Sequence, residues 1–220
     1  MSVELAERTT LPARFNRVDT INVIGGGPSI APYADQIREL EGISIGACRA
    51  GLLLDCDMTI ACDGRFPTQC ADEIPPYIDR GGILVHPIRD HVRRRQVEHL
   101  DKRILTIGWK RGGFSTSPRE VHGLDSGFAC FNAAVIYRPR RIRLFGLDYT
   151  APRDAQRWHN GYKNTTVKGY DASLNGWVAQ YDRFLNDPIS DIEIVNYVGP
   201  VESRIRPFLK CPLEELFSCP

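Results

Sequence analysis

Hydrophobic positions along this chain fall into short runs, at residues 21–24, 43–47, 58–61, 83–85, 104–107, 142–145 and 192–195, each bounded by Gly, Pro or Asp, and several are apolar on successive residues. A strand with one wet face alternates apolar and polar residues, whereas a strand covered on both faces is apolar on successive residues. The pattern therefore predicts a parallel sheet. Between the runs, helical spacing of apolar residues predicts helices near 31–40, 68–79, 127–137, 172–185 and 201–209. Strand and helix alternate, so the expected architecture is α/β: a single Rossmann-like domain, its mostly parallel sheet covered by helices on both faces through right-handed crossovers. Residues 1–19 precede the first run as an N-terminal extension, and residues 20–220 form the domain.

Two stretches break the alternation. "HVRRRQVEHLDKR" (91–103) is basic and is expected to be a solvated helix face. "TAPRDAQRWHNGYKNTTVKGYD" (150–171) is long, polar and aromatic, and it directly follows a predicted strand. A connection of that length is usually functional, so a lid loop is expected near 150–170.

Composition narrows the function classes. The chain has 220 residues, with 28 basic side chains against 27 acidic ones. One α/β unit accommodates that length, and the balanced charge gives no reason to expect a nucleic-acid partner. A small-molecule partner fits better, and a homo-oligomer is left open. No stretch reaches the roughly 20 apolar residues of a membrane span, and the first residues, "MSVELAERTTLPARF", carry charges where a signal peptide would be apolar. A soluble, cytoplasmic protein is the expectation. Seven cysteines with no CxxC pair argue against a disulfide framework and against a zinc knuckle, leaving ordinary buried thiols.

The candidate chemistry begins in "TINVIGGGPSIAPYADQI" (20–37). In an open α/β sheet the first strand-to-helix turn is the usual phosphate seat, and Gly25, Gly26 and Gly27 occupy that turn. Without Cβ atoms they let backbone approach an anion, Pro28 suits a first helical turn, and Ser29 supplies a hydroxyl. The stretch is neither GxGxxG nor GxxxxGK[ST], so neither the dinucleotide fingerprint nor the P-loop is present. The residues alone leave two readings open, a nucleotide or phosphate seat and a tight turn.

Three further segments, "DSGFACFNAAVIYRPRRIRLFGLDYT" (125–150), "WHNGYKN" (158–164) and "IEIVNYVGPVESRIRPF" (192–208), follow "IGGGPSI" in the order found in one superfamily. Together they resemble the bacterial sialyltransferases that use a CMP-activated sugar, and their wider relatives, the flagellin-modification proteins and the archaeal 6-hydroxymethylpterin diphosphokinases. The resemblance spans about residues 20–208. It implies nucleotide contacts from Gly25, Gly27 and Ser29, and from Ser126 and Gly127 at a helix start. It also implies that Asp148 and Tyr149 stand at a strand end facing the ligand crevice. Departures are visible: the sialyltransferases carry Asn where Gly26 stands, their paired asparagines are unmatched by "ACRAG" and "ACDGR", and Tyr162 falls where their catalytic histidine does. These departures count against sialic acid as the donor.

Within that resemblance the implied activity is a nucleotide-dependent transferase, a glycosyltransferase using a nucleotide-activated sugar and an unidentified acceptor. No cofactor is firmly implied. His159, the histidine of the polar lid, suits a general base because its pKa lies near working pH. Tyr162 and Lys163 suit stabilisation of the leaving phosphate. The alternative is pyrophosphoryl transfer from ATP with Mg2+, in which Asp63 and Asp148, both after strands, would hold the metal. A third reading is a nucleotide-binding relative without turnover. His86 and His91 flank a proline after the fourth strand, within reach of the crevice, whereas His99 and His122 look peripheral, and Trp109 with the "WKRGGFSTSP" loop is expected to line an acceptor wall.

Overall fold

A computed structural model describes residues 10–88, 97, 101–110, 112–150, 167–182, 191–199 and 203–218. Nine strands among these residues form one sheet in which every pairing is parallel. They are β1 (Thr20–Ile24), β2 (Ile43–Ala47), β3 (Met58–Ile60), β4 (Ile83–Ile88), β5 (Leu105–Trp109), β6 (Glu120–Val121), β7 (Arg141–Phe145), β8 (Glu193–Val198) and β9 (Leu209–Pro212). Their order across the sheet is β6-β5-β4-β3-β2-β1-β7-β8-β9. The chain thus builds outward from β1 to one edge, returns to the other flank of β1 at β7, and builds outward again. This is a single Rossmann-like α/β domain, and its strand order reverses between β1 and β7.

The two faces are visible in burial. On β4, Val85 joins the main core while its neighbour Leu84 joins a second cluster with Phe66, Ile74 and Tyr77. On β1, Ile21 and Val23 face the main core and Ile24 faces a third cluster with Ile30 and Phe145. Successive apolar residues therefore serve opposite faces, as expected for a sheet covered on both sides. The described α-helices are α1 (Ala34–Arg38), α2 (Arg49–Leu53), α3 (Phe66–Gln69), α4 (Ile74–Asp79), α5 (Ser126–Tyr137), α6 (Val167–Asp182) and α7 (Leu213–Ser218). The longest wholly described, α5, packs on β1, β2 and β3 and is buried nearly all round, from Gly127 to Val135 and at Tyr137. Such a helix must be covered on both sides. The sheet covers one side, and Phe114, Tyr181 and Phe208 pack on Phe131 from the other. It ends at Arg138, in the left-handed region at φ 52, before Pro139.

Several expectations need correction. The segment expected as a helix at 31–40 opens as a 3-10 turn, Pro28–Tyr33, and only Ala34–Arg38 is α-helical. Pro28 and Pro32 carry no N–H, so the α-helical ladder cannot run through them. The helix expected at 201–209 is not formed across 203–208, and β9 begins at Leu209. Pro207 cannot continue a helix and disfavours it at the residue before, while the free edge of β8 offers Val195 as a parallel neighbour for Leu209. Part of the expected lid, 167–170, belongs to α6; residues 151–166 lie outside the described residues. Residues 10–19, ahead of the first strand, bury Leu11 and Phe15 in the main core, and Phe15 packs edge-on against Tyr137.

Six cysteines, Cys48, Cys56, Cys62, Cys70, Cys130 and Cys211, are free thiols; burial pushes Cys56 up to about 12 and Cys70 up to about 11, so neither is a thiolate near neutral pH. No helix among the described residues is long and apolar enough to cross a membrane.

Two glycines test the packing from opposite directions. A Cβ on Gly46 of β2 would run into the Cα of Gly51 on α2 and lie 2.8 Å from Cys56 Sγ, whereas a Cβ on Gly176 of α6 would meet nothing within 4 Å. Gly46→Ala should lower the unfolding free energy by about 1–3 kcal/mol through overpacking. Gly176→Ala should raise it by about 0.5–1 kcal/mol by removing a helical glycine. Urea midpoints of the two variants check both signs.

Candidate functional site

In an open parallel sheet the ligand crevice lies beyond the carboxyl ends of the strands where their order reverses. Here that point is flanked by the bend after β1, residues 25–29, and the bend after β7, residues 146–149. The bends continue the ladder between their strands. Gly25 N–H donates to the Phe145 carbonyl at 2.7 Å and Gly27 N–H to the Gly146 carbonyl at 2.8 Å. Beyond them the contact passes to side chains: Ser29 N–H donates to Asp148 Oδ2 at 2.9 Å and Ser29 Oγ–H to Asp148 Oδ1 at 2.6 Å.

This closeness explains two of the three glycines. A Cβ on Gly25 would lie 2.6 Å from Leu147 Cδ2 and strike the Gly146 carbonyl, and one on Gly27 would strike the Asp148 carboxylate. Gly26 is half-buried between them. A third strand end joins at Gly199 after β8, where a Cβ would come within 2.5 Å of the Ser29 carbonyl. Ser29 and Asp148 are 1% and 2% exposed. Desolvation pushes the Asp148 carboxyl upward against the two hydrogen bonds from Ser29, which pull it down.

The start of α5 reaches the same end of the sheet. Leu147 Cδ2, which limits Gly25, also lies 2.7 Å from the Cβ position of Gly127, so the glycine bend and the helix start meet across one methyl group. Asp125 caps the helix, accepting from Phe128 N–H at 3.1 Å, and also accepts from the Tyr149 hydroxyl at 2.8 Å and from Gln180 Nε2 of α6 at 2.9 Å. Ser126 Oγ accepts from Cys62 N–H at 2.9 Å and from Cys48 Sγ–H at 3.0 Å, tying the helix to the ends of β2 and β3. Tyr149 is 8% exposed, and its hydroxyl is within 3.1 Å of that of Tyr181. Burial first, and then the Asp125 charge, push the Tyr149 phenol well above its usual range, while burial raises the Asp125 carboxyl against its hydrogen bonds. Cys48 at φ 52 and Tyr149 at φ 51 are non-glycine residues in the left-handed region. Cys48 directly follows β2 and Tyr149 closes the bend after β7, at the end of the sheet where open parallel folds carry their ligands and where strained backbone concentrates.

The remaining sequence candidates divide. Asp63, after β3, accepts from Arg65 N–H at 2.9 Å and pairs with the Arg65 guanidinium at 3.1 Å. His86 lies within β4 and is 1% exposed. His122 is 3% exposed, and its Nδ1–H donates to the Lys110 carbonyl at 3.0 Å. Trp109 donates its indole N–H to the Gly123 carbonyl at 2.9 Å. The lid candidates His159, Tyr162 and Lys163, together with His91 and His99, lie outside the described residues.

For a divalent metal the donor set fits poorly, because Ser29 engages both oxygens of Asp148 and Arg65 engages both of Asp63. Among the described residues, no group of three or more His, Cys, Asp or Glu is placed to hold one. Sequence reasoning missed Gln180, Tyr181, Gly199 and the thiol of Cys48 as parts of this constellation. The N-cap of α5 is Asp125, and its partner Gln180 on α6 left no local signal in the sequence.

No family model matches the chain, and a search of curated proteins finds no match.

The buried Asp148 carboxyl sets a pH dependence. Its raised pKa means that the folded state holds the proton to higher pH than the unfolded chain, so its contribution to stability falls as pH rises from the ordinary value near 4 (about 3.9) through the raised one. Asp148→Asn carries no such charge. Its stability relative to the parent should rise as pH increases above the ordinary carboxyl value of about 4, superimposed on a constant loss from the weakened Ser29 contact. Urea unfolding across that range checks the slope, and a slope of opposite sign contradicts it.

Proposed function

We propose that this protein is a nucleotide-dependent transferase that moves a sugar from a nucleotide-activated donor to a small acceptor. The observation that carries the reading is the convergence at the β1/β7 reversal of a glycine bend, an acidic bend and the start of a long buried helix. Open parallel sheets bind nucleotides at that place. The resemblance of "IGGGPSI", "DSGFACFNAAV" and "FGLDYT" to CMP-sugar transferases supports the same chemistry.

In this reading the nucleotide lies over the switch point, with the start of α5 at Ser126 and Gly127 beside its phosphate. His159 takes the proton of the acceptor hydroxyl as its oxygen bonds to the sugar carbon. The bond from that carbon to the donor phosphate breaks, and its electron pair leaves with the phosphate. Tyr162 and Lys163 donate to the phosphate as its charge develops. Pyrophosphoryl transfer with Mg2+ is less well supported, since Asp63 and Asp148 are both engaged by protein donors.

A thermal-shift panel of CMP, UDP, GDP, ADP and ATP, with and without magnesium, tests the reading. At a hundredfold excess over its dissociation constant a true ligand adds about 2.7 kcal/mol of stability. Stabilisation by a pyrimidine or guanosine nucleotide without magnesium is the expected result. A response to ATP with magnesium alone would transfer the protein to the pyrophosphokinase class, and no response to any nucleotide would defeat the reading. His159→Ala should leave the nucleotide shift intact while lowering turnover by roughly 10²–10⁴-fold, measured as sugar release from the donor that responds.

A further inference from the structure

The glycine bend after β1 is already loaded with an anion. The Ser29 N–H and hydroxyl, the donors such a bend would turn toward a phosphate, both grip the Asp148 carboxylate. A phosphate entering beside this pair meets a carboxylate in a poorly solvated site, where charge repulsion is stronger than in water. An anionic ligand at the switch point therefore needs a cation supplied from somewhere else.

Two cations close to this end of the sheet are matched within the protein. Arg49 of α2, the helix after β2, pairs with Glu73 at 2.7 Å, and Arg65, after β3, pairs with Asp63 at 3.1 Å. Lys110 follows β5, four positions along the sheet from β1, and its ammonium donates to the Phe114 carbonyl. Arg204 differs from all three. Its N–H donates to the Asp148 carbonyl at 2.9 Å, which anchors it on the acidic bend itself. Its guanidinium donates to Asn175 Oδ1 of α6 at 2.7 Å, and the residue is exposed. A neutral amide fixes the guanidinium without cancelling its charge, and a guanidinium held through one of its five N–H groups keeps others for a two-pronged grip on phosphate.

We propose that Arg204, positioned by Asn175, is the specificity-determining cation that recognises the phosphate of the ligand in the switch-point crevice, an inference that rests on the nucleotide reading above. Asp148 then has two jobs: its carboxylate locks the two bends together, and its carbonyl holds the arginine that offsets its own charge. The nucleoside portion of the ligand is read independently of Arg204.

Calorimetric titration with CMP and cytidine, UDP and uridine, GDP and guanosine, and ADP and adenosine separates the contributions. For the nucleotide that binds the parent protein, Arg204→Gln should weaken affinity by roughly 10–100-fold, the range of a charge-assisted hydrogen bond, while the matching nucleoside binds within about twofold of the parent. Asn175→Ala should weaken the nucleotide by a smaller factor, and Arg204→Lys should recover part of the loss, because a point charge replaces a fork. Parent-like nucleotide affinity in Arg204→Gln overturns the assignment and leaves the nucleotide reading intact. Equal losses for nucleotide and nucleoside make Arg204 structural and also overturn it. A parent protein that binds none of the nucleotides defeats both.

Discussion

The contact on which the β1/β7 end of the sheet depends is the pair of hydrogen bonds from Ser29 to the Asp148 carboxylate. It joins residues 119 apart in sequence, and it closes the seam between the first strand laid down and the first strand laid down after the chain's return. Hydrogen bonds to a charged group of this kind contribute about 1.5–3 kcal/mol each. Burial makes that figure conditional: the carboxylate is tolerable because both of its oxygens are satisfied, and removing one donor would leave an expensive buried charge. Everything around the pair is shaped to permit it. Gly27 gives it room, Gly25 lets Leu147 pass, and Gly199 brings the end of β8 against Ser29.

Helix α5 transmits that seam to the rest of the sheet. Its body is buried nearly all round and carries Asn132, fully buried, whose amide holds Ser115 and the His122 N–H in place. Its start is tied to the ends of β2 and β3 through Ser126 and to α6 and the acidic bend through Asp125. A ligand that displaced the first turn of α5 would disturb three strand ends and α6 at once. The left-handed backbones of Cys48 and Tyr149 are held by surroundings that over-determine them.

The fold was legible because its signal is local. Seven apolar runs at 21–24 through 192–195 each became a strand, and the successive apolar residues in several of them announced a sheet covered on both faces. The edge strands were not legible: β6 has two residues and β9 four, too short to show a period, and β9 exists because β8 offers an open edge. Pro32 and Pro207 stand within stretches of helical spacing, and the N–H each lacks outweighs that spacing. At the site, Gly25, Gly27, Ser29, Ser126 and Asp148 stood out as residue types after strands. Their mutual relation did not, because the grip of Asp148 on Ser29 is a tertiary event between bends far apart in the chain. The glycines that read as an anion cradle serve, in the described contacts, to let two bends approach, and Arg204 carried no local mark at all.

In the proposed function a nucleotide lies over the β1/β7 reversal. Backbone amide chemical-shift mapping with the nucleotide that gives the largest thermal stabilisation tests it most directly. The account predicts perturbations concentrated at residues 25–29, 126–127, 147–149 and 204, with the strand ends of β5 and β6 unmoved. Perturbations confined to the β4–β6 side, with the two bends unchanged at saturating ligand, would contradict it.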